Sequence, residues 1–86
     1  MPVISRFYGI VIRMLFVRQL GARIHAFYGD SELVLSLWPM RIIQGDAPAC
    51  VRELVFKWAA QHQGELLADW TRCQVGQRPF AIAGLR

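Results

Sequence analysis

The run Tyr8-Gly9-Ile10-Val11-Ile12-Arg13-Met14-Leu15-Phe16-Val17 constrains this chain more than any other stretch. In an extended strand, side chains alternate between faces. Ile10, Ile12, Met14 and Phe16 then share one face, and Val11, Arg13, Leu15 and Val17 share the other. Both sets are mostly apolar. The pattern predicts a central strand covered on both sides.

The strands that follow are short and closely spaced. Gly21 marks a turn, and Ala22 to Tyr28 reads as a strand. Gly29-Asp30 is a turn pair, and Ser31 to Leu37 completes a hairpin with Leu33, Leu35 and Leu37 on one face. Pro39 interrupts the pattern because it has no N–H for a ladder. Met40 to Ile43 reads as a further short strand. Short connections require antiparallel neighbours.

Gly45-Asp46 ends the strand-rich half. Asp46 or Ala47 stands where a helix cap belongs, and Pro48 suits a first helical turn. Val51, Leu54, Val55, Trp58, His62, Leu66, Trp70 and Cys73 then recur at steps of three and four. That is one apolar helical stripe. A single helix from Pro48 to Val75 would span ~42 Å. At Gly64 the helix either bends or gives way to a turn between two helices, the unbroken register favouring one helix or a mild bend, and Gly76 with Pro79 is a stop signal. Phe80 to Ala83 forms either an edge strand or a segment along the helix. The expected class is α+β: an antiparallel meander of three to five strands over about 3–43, one long or bent helix over about 48–75, and a tail over 77–86, in a single domain.

Composition narrows the function. The charge is +4, and 55% of residues are hydrophobic. Arg6, Arg13, Arg18 and Arg23 break the apolar N-terminal half, so no membrane-spanning segment is expected. Cys50 and Cys73 make no disulfide framework and no zinc spacing. They read as reduced, half-buried thiols of a cytoplasmic protein without metal or cofactor. Nine of the ten basic residues are arginine. Arginine forks suit carboxylates and phosphates, so anionic partners are favoured, although these arginines are scattered along the chain.

Several pieces together resemble the bacterial domain-of-unknown-function 4160 family. They are Pro2 to Met14, His25-Ala26-Phe27-Tyr28-Gly29, Gly45-Asp46-Ala47-Pro48, and Trp58, His62, Glu65-Leu66-Leu67 and Trp70 with Gly76 and Pro79. Between its first two strands the family carries Asp-His-x-Pro-Pro-His-Phe-His-Ala. Here the aligned segment is Arg18-Gln19-Leu20-Gly21-Ala22-Arg23-Ile24-His25-Ala26, and only His25-Ala26 remains. A loop with three His and an Asp could hold a metal; one His with two Arg could not. The resemblance implies a small bacterial protein encoded beside a second small protein, in an arrangement like a toxin–antitoxin pair.

The candidate site residues follow from strand alternation. His25 shares a face with Arg23 and Phe27, and Arg13 falls across from it on the neighbouring strand. Such a group could bind phosphate, or act on an RNA hydroxyl with arginine stabilising the developing charge. Arg6, Tyr8 and Tyr28, near strand-end glycines, read either as an arginine–tyrosine binding set or as an ordinary sheet-edge pairing. Trp38, beside Pro39, is the tryptophan expected at an interface. Trp58, His62 and Trp70 are assigned to the core, and Glu65, Asp69 and Arg72 to a surface ion-pair ladder. Exposed apolar area on so small a protein points to association, as a homodimer or with a small cognate protein. The leading function is therefore a non-enzymatic interaction module. An RNA-acting toxin using Arg13, Arg23 and His25 is the alternative. DNA-binding regulation is weaker, since the helix carries few basic residues.

Overall fold

A computed structural model describes residues 2–17 and 21–85. Arg18, Gln19 and Leu20, part of the segment expected to depart from the resemblance, lie outside the described residues. Five strands form one antiparallel sheet in chain order: β1 (Val3–Phe7), β2 (Ile10–Arg13), β3 (Arg23–Tyr28), β4 (Ser31–Leu37) and β5 (Met40–Asp46). Two helices follow, α1 (Ala49–Gln61) and α2 (Gln63–Gln74). The α+β meander is as the sequence predicts.

The first hairpin corrects the expected Tyr8–Val17 strand. Tyr8 and Gly9 have φ of 48° and 77° and make the tight turn between β1 and β2. Positive φ at both central residues is the type I′ signature, whose twist matches that of the flanking strands. β2 then ends at Arg13, and Met14 to Val17 runs on without ladder pairing. The β3–β4 hairpin matches the expected boundaries, turning at Gly29-Asp30 with Tyr28 opposite Ser31. β5 continues three residues past the expected Ile43, to Asp46. It does so through an irregularity, because Val34 pairs Gln44 while Leu35 pairs Ile42. Gly45, at φ 82°, allows β5 to continue close against β4.

Only one face of the sheet is covered. Ile10, Ile12, Ile24, Ala26, Leu33, Leu35 and Leu37 are buried beneath the helices with Val51, Val55, Trp58, Leu66 and Trp70. Each buried aliphatic side chain contributes about 1.5–3 kcal/mol relative to exposure. The expectation that the second strand is covered twice fails. Val11, Arg13 and Val17 are half-buried, and Leu15 is 40% exposed. The apolar residues on this side are shielded by neighbouring side chains rather than by a second layer.

The helical stripe is as read, but its interruption is not at Gly64. It falls at His62, with φ −116° and ψ 20°, which ends α1 and begins α2. The His62 N–H still reaches the carbonyls of Trp58 and Ala59, and its own carbonyl accepts from Leu66 N–H. The two helices therefore stay nearly in register. The residue that precedes α1 is Pro48, and no side chain caps that helix. Asp46 instead accepts from Ala47 N–H at 2.9 Å and pairs with Arg52 at 3.1 Å.

Asp69 is also corrected: it is 2% exposed and is no part of a surface ladder. Glu65 pairs with His62 at 2.7 Å. Asp69 Oδ1 accepts the Phe80 N–H at 2.8 Å, and Arg72 lies 3.9 Å away. Burial pushes the Asp69 carboxyl above its usual range, against the opposing pull of the Phe80 N–H and Arg72. The Arg72 guanidinium covers the Phe80 ring at 3.5 Å. Further along the tail, Ile82 N–H donates to Ile4 O at 2.7 Å and Trp58 Nε1 donates to Ala83 O at 2.8 Å. The tail thus runs along β1 while touching both helices.

Candidate functional site

The face of the sheet away from the helices gathers most of the predicted residues. Strand register arranges it in rows. One row is Val3, Arg13, His25, Val34 and Gln44. A second is Arg6, Val11, Phe27, Glu32 and Asp46. A third is Arg23, Ser36 and Arg41. Arg13 lies directly across from His25, as strand alternation predicts, and Arg23 follows on the same side of β3.

His25 is not an isolated ring between arginines. Its Nδ1 lies 2.9 Å from Glu32 Oε2. An ionised carboxylate only accepts, so Nδ1 carries the proton. Nε2 of the neutral ring then keeps a lone pair, as in a base oriented by a carboxylate. The His25 side chain is mostly covered and the Glu32 side chain about half exposed. The His25 ring lies 15° from parallel with Phe27 at 6.4 Å, and Arg13 Cζ stands 6.0 Å from the Phe27 centroid. Arg23 Nε donates to Gly21 O at 3.3 Å, which steadies the fork beside this group.

Glu32 was missed by the sequence reading, although its signal was present. A tight turn at Gly29-Asp30 sets Phe27 opposite Glu32, which puts Glu32 diagonal to His25 on the same face.

The arginine–tyrosine set lies apart from His25. Tyr8 and Tyr28 are 60% and 40% exposed at neighbouring turns. A Cβ on Gly9 would meet the Tyr28 ring at 3.5 Å, so these two turns touch. Arg6 is exposed in the row nearest them. Trp38 is at the opposite end, in the β4–β5 turn, and is 77% exposed. The seven candidates therefore divide into a central group of Arg13, Arg23 and His25, a tyrosine end with Arg6, and a tryptophan end.

A separate groove of about 710 Å3 lies between the end of the sheet and the C-terminus of α2, lined by Pro2, Met14, Leu15, Phe16 and Cys73 among others. Burial pushes the Cys73 thiol upward, away from reactivity. Cys50, expected to be half-buried, is exposed. Among the described residues, no three His, Cys, Asp or Glu side chains cluster as metal ligands. No helix among them is long and apolar enough to cross a membrane.

No curated protein and no solved structure gives a significant match. The family model for a domain of unknown function, DUF4160, matches residues 9–71. That match takes in β2 to β5, α1 and most of α2, including the His25–Glu32 pair. This chain belongs to the DUF4160 family.

Proposed function

We propose that this chain is a protein-interaction module, one member of a toxin–antitoxin-like pair, whose helix-free sheet face binds a small cognate protein. The observation that carries this reading is the chemistry of that face. An antiparallel sheet with one side in water ordinarily shows polar residues there. Here Val11 and Phe27 take outward positions, half-buried and framed by Arg6, Arg13, Arg23 and Arg41, while Val34 on the same side is buried. An apolar centre with an arginine-rich rim is the composition of a binding patch. The net charge of +4 favours an acidic partner.

The test is co-expression with the small protein encoded beside it, followed by copurification. Phe27→Asp places an unpaired charge in the patch and is expected to weaken capture at least tenfold. Phe56→Asp, on the outer side of α1, leaves capture unchanged. Equal capture by both variants, each with a wild-type thermal melt, would refute the proposal. Light scattering on the purified chain separates a homodimer from a waiting monomer.

The His25–Glu32 pair specifically favours a second reading, an RNA-acting toxin. There His25 Nε2 takes the proton of an RNA 2′-hydroxyl, whose oxygen attacks the adjacent phosphorus held by Arg13 and Arg23; the bond from phosphorus to the 5′-oxygen breaks, and that oxygen leaves with a proton from water. In this reading His25→Ala abolishes RNA cleavage while partner capture persists. Unchanged cleavage would remove His25 from the chemistry.

A further inference from the structure

The row nearest the Trp38–Pro39 turn lies furthest from the acids of the sheet. Arg23, Ser36 and Arg41 pair directly across β3, β4 and β5. This row contains no carboxylate. The acids of the sheet, Asp30, Glu32 and Asp46, all lie at or beside the opposite end. Neither Arg23 nor Arg41 has a carboxylate partner among the described residues. Arg23 uses Nε on the Gly21 carbonyl, which leaves its terminal N–H groups free to point at a ligand. Cross-strand Cβ atoms stand about 5 Å apart, so the two arginines flank the Ser36 hydroxyl at roughly 10 Å from each other. Long side chains close that distance readily. Two guanidinium forks with a hydroxyl between them are the donors that a phosphodiester requires.

Trp38 follows two residues after Ser36, about 7 Å further along the chain. At 77% exposure it is the most exposed large apolar side chain among the described residues, and Leu37 beside it is fully buried. An indole left bare beside a phosphate-sized cluster of donors is a stacking platform for a base. A free phosphate would make no use of the indole. A duplex would offer it no unstacked base.

We infer that Arg23, Ser36, Arg41 and Trp38 form a binding site for single-stranded nucleic acid, with one phosphodiester between the arginine forks and the adjoining base on the Trp38 ring. The site makes no use of His25 and requires no cleavage. It also lies at the end of the face away from the tyrosines, so a protein partner can occupy the rest.

Tryptophan fluorescence tests this directly, because Trp58 and Trp70 are 0% and 6% exposed and Trp38 is the ring in contact with solvent. Hexauridylate is expected to quench the emission in a saturable way, and inorganic phosphate is not. With a labelled hexauridylate followed by anisotropy, Trp38→Ala weakens binding roughly tenfold or more. Arg41→Gln weakens it and lowers the slope of log affinity against log salt by about 0.7. Lys57→Gln, on the surface of α1, serves as the charge control and leaves affinity near wild type. Arg41 and Trp38 are exposed, so thermal melts of their variants are expected to match wild type. The inference is overturned if hexauridylate gives no saturable quenching. It is equally overturned if Lys57→Gln costs as much as Arg41→Gln, or if anionic vesicles, and not hexauridylate, are bound in a Trp38-dependent way. Partner copurification is a separate measurement, so failure here leaves the interaction reading standing.

Discussion

Replacing Trp58 by alanine is expected to remove a large share of the folding stability, about 3–5 kcal/mol. Trp58 is fully buried at the middle of the helical stripe, with Phe7 at 5.2 Å and His62 at 5.4 Å between ring centres. It joins three parts of the molecule: the sheet through Phe7, the helical break through His62, and the tail through Ala83 O. Truncating a buried aromatic residue to alanine costs about 3–5 kcal/mol. For a domain of this size that is a large share of a total of about 5–15 kcal/mol. Trp58→Phe separates the contributions. It keeps most of the packing and leaves the Ala83 carbonyl without its donor, a loss of about 1–2 kcal/mol. Urea titrations of both variants are the measurement. A midpoint for Trp58→Ala within error of wild type would show that the tail and helices do not depend on this ring.

The second large effect is expected at Gly45. Its φ of 82° already disfavours any side chain, and a Cβ there would overlap the Glu32 carbonyl oxygen. That atom is backbone in the neighbouring strand, so no rotamer change relieves the overlap. Gly45→Ala must push β5 away from β4 at Glu32, at a cost of about 2 kcal/mol or more. The effect extends beyond stability, because Glu32 is the residue that holds His25. Loss of the His25–Glu32 contact is expected in the folded fraction, read from the imidazole resonances by NMR. A Gly45→Ala protein with wild-type stability and unchanged His25 resonances would contradict the close approach of the two strands. Gly29→Ala is the useful comparison. Its φ is also positive, at 55°, but nothing lies within 4 Å of the added Cβ. It reports the backbone cost alone.

These two positions also show which features were legible in the sequence. The β3–β4 hairpin was readable because the Gly29-Asp30 turn pair lies between two short strand-like runs. The helical stripe was readable because apolar residues recur at helical spacing from Val51 to Cys73. The turn at Tyr8-Gly9 was obscured because the apolar run continues from it to Val17, so both residues read as the start of a strand. The position of the helical break was misread because Gly64 has the weaker propensity, whereas the chain departs from helical geometry at His62. The burial of Asp69 was invisible for a different reason. Its spacing from Glu65 and Arg72 fits a surface ladder, and only the returning tail makes it an acceptor for Phe80 N–H.

The candidate site was legible by alternation but not by partnership. Arg23 and His25 share a face for local reasons that sequence period captures, and Arg13 joins them through the register of β2 on β3. The pairing of His25 with Glu32 depends on hairpin register, and the Arg23–Ser36–Arg41 row depends on the registers of two hairpins. Those are long-range facts that composition does not contain.

The strapped tail has a consequence for the order in which the molecule is built. Each hairpin of the meander closes between residues near in sequence, and such loops are inexpensive to close. The contact between Ile82 and Ile4 joins opposite ends of the chain. It is expected to form late, after the sheet and helices have already been brought together. Until then the Ile4 carbonyl, the Trp58 indole N–H and the Asp69 carboxylate lack the partners that the tail supplies. The early meander therefore exposes the β1 edge that the finished protein covers, and the tail is the piece that removes that edge from reach of another chain.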